Sequence, residues 1–201
     1  QSIEGKYKGR IFIAANHSAG APKNNFKDYQ SHGYYTDDHG KTFQVSNSLQ
    51  LEGSNEATAA FISKDRLIMN ARNQQGNTKT RILAYSNDGG AHFEEAYYEN
   101  QLPDPICEGA ILPIGYKRGK VVLAFVNAFD TIYRNNLSLQ ISFDEGLHWK
   151  KKVLIDQTTD LQKMKNDFTA YADIIKISKR KIGVLYERDN YQQIVFSSIP
   201  W

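Results

Sequence analysis

Hydrophobic and polar residues alternate along the segment 137–142, which reads Leu-Ser-Leu-Gln-Ile-Ser. A period of two is typical of a half-buried β-strand, because successive side chains of a strand point to opposite faces of the sheet. The following Asp144-Glu145-Gly146 favours a tight turn, since Asp hydrogen-bonds its own backbone and Gly readily adopts a positive φ. The pattern predicts a strand that is closed by a turn, with Trp149 placed to cover it.

Apolar and alternating segments of similar length recur through the chain, and turn-forming residues separate them. Lys64-Asp65 is predicted as a hairpin turn, the polar run 17–32 as a long loop, and 160–166 as a short helical turn. The further predicted strands are 9–14, 33–35, 57–63, 66–72, 80–86, 110–114, 121–127, 171–177, 182–187 and 194–198. These strands fall into four groups, so the sequence predicts an all-β fold.

An eight-residue motif occurs three times, and each copy directly follows a predicted strand. Its form is (Ser/Thr)-x-Asp-x-Gly-x-x-aromatic, the Asp box, and the copies are Thr36–Phe43, Ser86–Phe93 and Ser142–Trp149. The central aspartates are 50 and 56 residues apart. Three octets at a near-regular spacing indicate repeated small sheets, as in a β-propeller. We expect the boxes themselves to be turn-stabilising elements that lie away from any active site.

Composition and charge exclude several classes of function. The chain has 201 residues, and its formal net charge of +3 is too small to indicate a nucleic-acid partner. Cys107 is the single cysteine, so an intrachain disulfide is excluded, and the five histidines show no metal-ligand spacing. No apolar run approaches the roughly 20 residues that a membrane span needs. We therefore expect no metal, no nucleic acid and no membrane span.

Several short motifs occur in a fixed order between Gly9 and Trp201. Together they resemble the corresponding segments of the sialidases (exo-α-neuraminidases), which are Asp-box glycoside hydrolases. The likeness covers nearly the whole chain. Its motifs are Asn70-Ala-Arg72, Asp104-Pro-Ile-Cys-Glu-Gly-Ala-Ile-Leu112, Arg134 eight residues before Ser142, Ala170-Tyr171-Ala-Asp173 and Gly183-Val-Leu-Tyr-Glu187.

The resemblance implies roles for five side chains. Arg72 and Arg134 correspond to two of the three arginines that grip the carboxylate of sialic acid. Tyr171 corresponds to the nucleophile, Glu56 to the base that pairs with it, and Glu187 to a carboxylate that orients an arginine. The first arginine and the acid/base aspartate belong to the N-terminal part of such domains, and this sequence offers no candidate for either.

Glu108 lies in the segment after the second box, and we expect it to line the sugar-binding pocket. Taken singly, residues of these types are more often solvated charges or satisfied core aromatics. Their joint order carries the prediction, and the chemistry fits the residue types. The planar fork of an arginine matches a carboxylate, and a neutral tyrosine approaches an anionic centre without like-charge repulsion.

The implied fold is a six-bladed β-propeller, of which residues 1–201 form the C-terminal portion of a single catalytic domain and supply about four blades. We expect an N-terminal fragment of the same protein to complete the ring, because an open arc would expose strand edges. The implied function is hydrolysis of terminal α-linked sialic acids from sialylated glycans, without a cofactor and with retention. A secreted, periplasmic or cell-surface setting would suit such substrates.

Two alternatives stay open on the sequence alone. A trans-sialidase or intramolecular sialidase would share the same catalytic residues. A non-catalytic, sialic-acid-binding Asp-box propeller would share the fold and lack the acid/base aspartate.

Overall fold

The computed structural model describes residues 1–63 and 65–201, which form β-strands, one short helix and a 3-10 turn at Asn24–Phe26. The helix, α1, is Leu161–Lys165. The strands are β1 Ile11–Ser18, β2 Tyr29–Thr36, β3 Gln44–Val45, β4 Ser54–Phe61, β5 Leu67–Asn73, β6 Thr80–Ser86, β7 Tyr97–Pro103, β8 Ala110–Lys117, β9 Lys120–Ala128, β10 Leu137–Ser142, β11 Trp149–Asp156, β12 Thr169–Ser178, β13 Lys181–Arg188 and β14 Gln193–Pro200. The predicted all-β class is confirmed.

The strands form four antiparallel sheets, ordered β1-β2-β3, β4-β5-β6-β7, β11-β10-β9-β8 and β12-β13-β14. The chain divides into two compact units. Unit 1 comprises Gln1–Asn77 and Arg81–Glu99, and unit 2 comprises Thr78–Thr80 and Asn100–Trp201. The first two sheets belong to unit 1, apart from the first residue of β6 and the second half of β7, and the last two belong to unit 2.

Each unit buries its own apolar core. In unit 1 the core includes Leu49, Leu67, Met69, Ile82 and Phe93. In unit 2 it includes Val122, Val126, Leu137, Leu139, Ile141, Ile182 and Val184, drawn from both sheets. Burial of such side chains stabilises a fold by roughly 1.5–3 kcal/mol each.

The strand β10 is buried on both faces, although its alternating sequence predicted a half-buried strand. It is an inner strand, hydrogen-bonded to β9 on one side and to β11 on the other. Its polar side chains are buried because they bond locally. Ser138 Oγ donates to the Asn136 carbonyl at 2.8 Å, and Gln140 Nε2 donates to the Ser138 carbonyl at 3.2 Å.

The predicted loop 17–32 is shorter in the structure, because β1 continues to Ser18 and β2 begins at Tyr29. These polar strand ends are held by backbone pairing in the register His17↔Gln30 and Ser18↔Tyr29. Backbone pairing does not require apolar side chains, so the hydropathy pattern underestimated the lengths of both strands.

Three strands escaped the sequence prediction, namely β3, β7 and β11. The strand β3 has two residues, and β11 is a mostly exposed edge strand that carries three consecutive lysines. Lysines on an edge strand oppose the pairing of that edge with another sheet. Here they also interrupt the alternation of apolar and polar residues by which a strand is predicted. The predicted helical turn is confirmed, since Asp160 caps α1 by accepting from the Gln162 and Lys163 backbone amides. Lys64 of the predicted Lys64-Asp65 turn lies outside the described residues.

The Asp boxes close the turns after β2, β6 and β10 with one repeated set of hydrogen bonds. In the third box the Ser142 hydroxyl donates to Asp144 Oδ1 at 2.9 Å and accepts from the Gly146 amide at 2.8 Å. The amide of His148 donates to the same Oδ1 at 2.9 Å, and its ring Nδ1 lies 2.7 Å from Oδ2. Glu145 and Gly146 have φ of 66° and 93°, which explains the glycine of the motif.

The other two boxes repeat this arrangement closely. Asp88 lies 2.8 Å from the Ser86 hydroxyl, and its second oxygen lies 2.6 Å from the His92 ring. In the first box the hydroxyl of Thr42 takes the place of the histidine and donates to Asp38 Oδ2 at 2.7 Å. Each of these aspartate carboxylates thus bonds to residues of its own octet, which is the turn-stabilising role that the motif predicts.

Candidate active site

Glu56 and Arg72 form an ion pair in unit 1. Arg72 Nη1 donates to Glu56 Oε2 at 2.6 Å, and the side chains of Arg72 and Glu56 are 12% and 34% exposed, respectively. The pairing of β4 with β5 is irregular between Ser54 and Ala57, so Glu56 lies in a β-bulge. A bulge redirects the side chains of a strand. Here the bulge contains Glu56, whose side chain contacts Arg72, and both residues were selected in the sequence analysis.

A row of three amide side chains adjoins Glu56 along the chain and across the strands. Asn16 Nδ2 donates to Asn55 Oδ1 at 2.6 Å, and Asn55 Nδ2 donates to Gln74 Oε1 at 2.9 Å. The residues come from β1, from β4 and from the position after β5. Sequence reasoning missed this row, because amides near turns are common and only strand pairing brings these three together.

Tyr171 lies between two carboxylates in unit 2. Its backbone amide donates to Glu187 Oε2 at 3.2 Å, and the amide of Ala172 donates to Glu108 Oε2 at 3.3 Å. The pairing of β12 with β13 is irregular between Thr169 and Ala172. The bulge releases backbone amides from the regular ladder, and carboxylates accept from them instead.

Units 1 and 2 therefore contain the same local arrangement, a bulged β-hairpin. In each, a bulge near the start of the first strand of a hairpin holds one site residue, and the second strand holds its partner 16 positions later. The pairs are Glu56 with Arg72 and Tyr171 with Glu187. The equal spacing in the sequence thus has a structural cause, which is the shared geometry of two bulged hairpins.

A cavity of about 270 Å³ opens beside Tyr171. Glu108 and Glu187 line it together with apolar side chains that include Leu185 and Ile194. A mostly apolar concavity with a few convergent polar groups is typical of a small-molecule site. Glu108 thus lines a cavity, and the predicted identity of that cavity as the sugar-binding pocket stays a prediction.

Arg134 reaches toward Tyr171 from the segment before β10. Its guanidinium carbon lies 5.8 Å from the centroid of the Tyr171 ring. Nη2 donates to the Ile106 carbonyl at 2.9 Å, and Nη1 donates to the Tyr191 hydroxyl at 2.8 Å and lies 3.4 Å from Asp167 Oδ2. Burial lowers the pKa of Arg134, but the net shift is upward because Cys107, Asp167 and the tyrosines around it favour the cation.

The structure thus brings the predicted residues together in two sets. Unit 1 holds Glu56 with Arg72, and unit 2 holds Tyr171 with Glu187, Glu108 and Arg134. The predicted pairing of Glu56 with Tyr171 would join the two units, and it stays a prediction. Within residues 1–63 and 65–201, no group of three or more His, Cys, Asp or Glu could hold a metal ion. In the same ranges no helix combines the length and apolar character that crossing a membrane would require.

Comparisons with known proteins identify the family and the fold of the chain. The family of BNR repeat-like domains matches residues 3–184. A sialidase of Micromonospora viridifaciens is 30% identical over 165 residues, which are 79% of this chain and 24% of that protein. The chain spans about a quarter of the length of the curated relatives it matches.

Solved structures show the same fold. A Hadza microbial sialidase superposes with a TM-score of 0.76 at 21% identity, covering 98% of this chain and 36% of that one. A leech intramolecular trans-sialidase superposes with a TM-score of 0.74 at 16% identity, covering 100% of this chain and 30% of that one. The predicted resemblance to sialidases is confirmed.

Proposed function

Since the chain belongs to the family of BNR repeat-like domains, we propose that it is the C-terminal part of the catalytic domain of an exo-α-sialidase. The complete enzyme would hydrolyse terminal α-linked sialic acids from glycoproteins, glycolipids or oligosaccharides. One arrangement carries the proposal. Tyr171 lies in a β-bulge beside the carboxylates of Glu187 and Glu108, and the Arg134 guanidinium is 5.8 Å from its ring centroid.

Tyr171 is the proposed nucleophile because a sialoside carries a carboxylate on its anomeric carbon. An anionic nucleophile would approach that centre against like-charge repulsion, whereas a neutral phenol does not. Tyr171 Oη attacks the anomeric carbon, the bond to the leaving oxygen breaks, and the phenol proton passes to Glu56. The leaving oxygen takes a proton from an acid in the rest of the protein. Water then displaces Tyr171, so the configuration is retained.

Arg72 and Arg134 are the proposed binders of the substrate carboxylate. An arginine has five N–H donors, and the protein bonds at 2.8 and 2.9 Å from Arg134 occupy only part of them. The Arg72–Glu56 ion pair would also keep the proposed base in place. Glu187 is proposed to orient a further arginine, supplied by the N-terminal blades.

We propose that the chain supplies about four blades of a six-bladed propeller and that further blades cover the outer face of β12–β14. Two apolar side chains of that face that do not line the cavity, Ile175 and Phe196, are 62% and 58% exposed and adjoin each other around Gly183. A contiguous apolar patch of this kind is typical of an interaction surface. Because the chain spans about a quarter of its relatives, the covering blades would come from the same protein or from a bound N-terminal fragment. We propose a secreted, periplasmic or cell-surface setting.

A second candidate is an intramolecular trans-sialidase. The observation that favours it is the fold match to the leech enzyme, which is nearly as close as the match to the Hadza sialidase. In that reaction an oxygen of the sialic acid itself, rather than water, would displace Tyr171. A non-catalytic sialic-acid-binding propeller is the third outcome that the test must separate.

The test is an assay of the full-length protein on an α-sialoside, with the products and their anomeric form followed by NMR. Free α-anomeric sialic acid as the first product supports the hydrolase, and an anhydro-sugar product supports the second candidate. Tyr171→Phe should lower kcat by about 10³-fold, because the ring is kept and the nucleophilic oxygen is lost. Binding of sialic acid without turnover would point to the non-catalytic propeller and contradict both enzymes.

A further inference from the structure

The hairpin turn between β13 and β14 has an unusual backbone. Asp189, Asn190 and Tyr191 have φ of 54°, 53° and 63°, so three successive non-glycine residues adopt the left-handed conformation. A non-glycine residue in this conformation is strained and persists only where the surrounding structure holds it. The turn must therefore be fixed by contacts beyond its own sequence.

These contacts come from the segment before β12. The Asp189 amide donates to the Phe168 carbonyl at 2.8 Å, and the Asn190 amide donates to the Asp167 carbonyl at 3.1 Å. The same segment is tied to Arg134, because the Thr169 amide donates to the Arg134 carbonyl at 2.9 Å. Arg134, the segment 167–169 and the turn 189–191 are thus joined by backbone hydrogen bonds, and the turn places Tyr191 next to Arg134.

The hydroxyl of Tyr191 joins the two charged groups at this point. It donates to Asp167 Oδ2 and accepts from Arg134 Nη1 at 2.8 Å. Burial raises the pKa of Tyr191 to about 12, and the hydrogen bond to Asp167 adds to the rise. The phenol therefore stays protonated at neutral pH, so one O–H donates to the carboxylate and a lone pair accepts from the guanidinium.

We propose that Tyr191 is a positioning residue for Arg134, an inference that rests on the proposed function. Its hydroxyl fixes the guanidinium and occupies part of the Asp167 carboxylate. The direct Arg134–Asp167 contact is 3.4 Å, longer than a close charge-assisted hydrogen bond of about 2.7–2.9 Å. Arg134 therefore keeps N–H donors for a substrate carboxylate and does not pair fully with Asp167.

Removing the Tyr191 hydroxyl should let Asp167 compete with the substrate carboxylate for Arg134. In Tyr191→Phe the carboxylate loses its phenol donor and is free to pair directly with Arg134. For the full-length protein and an α-sialoside we expect KM to rise about tenfold, as for loss of a hydrogen bond to a charged group, while kcat changes less than about twofold. Adding Asp167→Asn to Tyr191→Phe should restore part of the loss, because the competing charge is gone.

Two controls separate positioning from structure. Tyr35→Phe removes another tyrosine hydroxyl, which donates to Gln44 Oε1 at 2.8 Å in unit 1, and should leave KM unchanged. In an Arg134→Lys background, Tyr191→Phe should cause no further loss, because Tyr191 acts through the guanidinium. An unchanged KM in Tyr191→Phe, or a full additional loss in the Arg134→Lys background, would overturn the inference.

The proposed function and this inference fail in different ways. A wild-type protein without activity on sialosides removes the proposed function alone. The inference is then decided by crystal structures of the full-length protein and its Tyr191→Phe variant. Closure of the Arg134–Asp167 distance to a direct ion pair would support it, and an unmoved guanidinium would overturn it.

Discussion

In each of the three Asp boxes the aspartate carboxylate and the first hydroxyl bond to residues two and four positions away, whereas the candidate site of unit 2 joins residues up to 64 positions apart. Each box repeats the same contacts, for example 2.8, 2.8 and 2.9 Å from the hydroxyl to the aspartate. The site repeats only the bulge that holds Glu56 in one hairpin and Tyr171 in another.

This difference separates stability from activity in the molecule. The bonds of each box aspartate carboxylate described above stay within its own octet, so loss of the aspartate should affect the turn and leave the site intact. The site depends on strand register, on two bulges and on contacts such as those of Arg134, so small changes there should affect binding before they affect stability. Substitutions in the two regions should therefore give opposite patterns.

Among the substitutions that compare the boxes with the site, the largest effect is expected at Arg134. In the full-length protein Arg134→Lys should lower kcat/KM by about 100-fold, because an ammonium group cannot bond the Ile106 carbonyl and Tyr191 and still present a fork to a carboxylate. The melting temperature should change by less than about 2 °C. Kinetics on an α-sialoside and a thermal melt measure both.

Arg66→Lys is the matched control for this substitution. Arg66 Nε donates to Asn87 Oδ1 at 3.2 Å at a half-buried position of unit 1 outside the candidate site, so the same change should leave kcat/KM unaltered. Normal kinetics in Arg134→Lys would remove Arg134 from the binding site.

The opposite pattern is expected at Asp144. Asp144→Ala removes the acceptor of the Ser142 hydroxyl and of the His148 amide, and should cost about 2 kcal/mol of unfolding free energy. Activity per folded molecule should stay within about twofold. Urea unfolding and active-site titration check the two values, with Lys150→Ala on the edge strand as the neutral control. A loss of specific activity without a loss of stability would show that the box belongs to the site.

The sequence predicted those parts of the molecule that depend on local chemistry. Four groups of strands and the turns of the boxes follow from hydrophobic alternation and from Asp and Gly at turns, and the helical turn predicted at 160–166 contains α1. Glu56, Arg72, Tyr171 and Glu187 were selected through the resemblance to sialidases, which pairs Glu56 with Tyr171. The contacts of Glu56 with Arg72 and of Tyr171 with Glu187 come from the structure.

What the sequence did not reveal depends on contacts between distant segments. Asp167 and Tyr191 contact Arg134 although they lie 33 and 57 positions further along the chain. Tyr191 reaches Arg134 from a turn with positive φ angles, a conformation that its sequence does not predict. The polar ends of β1 and β2 were assigned to a loop, because backbone pairing stabilises strands whose side chains show no apolar pattern. The one local feature that could have drawn attention to Tyr191 is its position directly after the turn-forming residues Asp189 and Asn190.

The smallest predicted effect concerns pH and the first box. The pKa of Asp38 is lowered from 3.8 to about 2, because the Thr42 amide and then the hydroxyls of Thr42 and Thr36 donate to its carboxylate. A lowered pKa in the folded state means that the ionised form stabilises the fold. This contribution is present above 3.8 and is lost as the pH falls from there through about 2.

Asp38→Asn should therefore flatten the acid limb of the stability curve between these two values, with little change near neutral pH. Urea unfolding of both proteins across this range measures the difference. Asp88→Asn extends the test to a histidine box, where burial raises the pKa of Asp88 but hydrogen bonds from His92 lower it overall. Equal acid limbs in the wild type and both variants would mean that the box carboxylates contribute no proton-linked stability, and the boxes would then act through turn geometry alone.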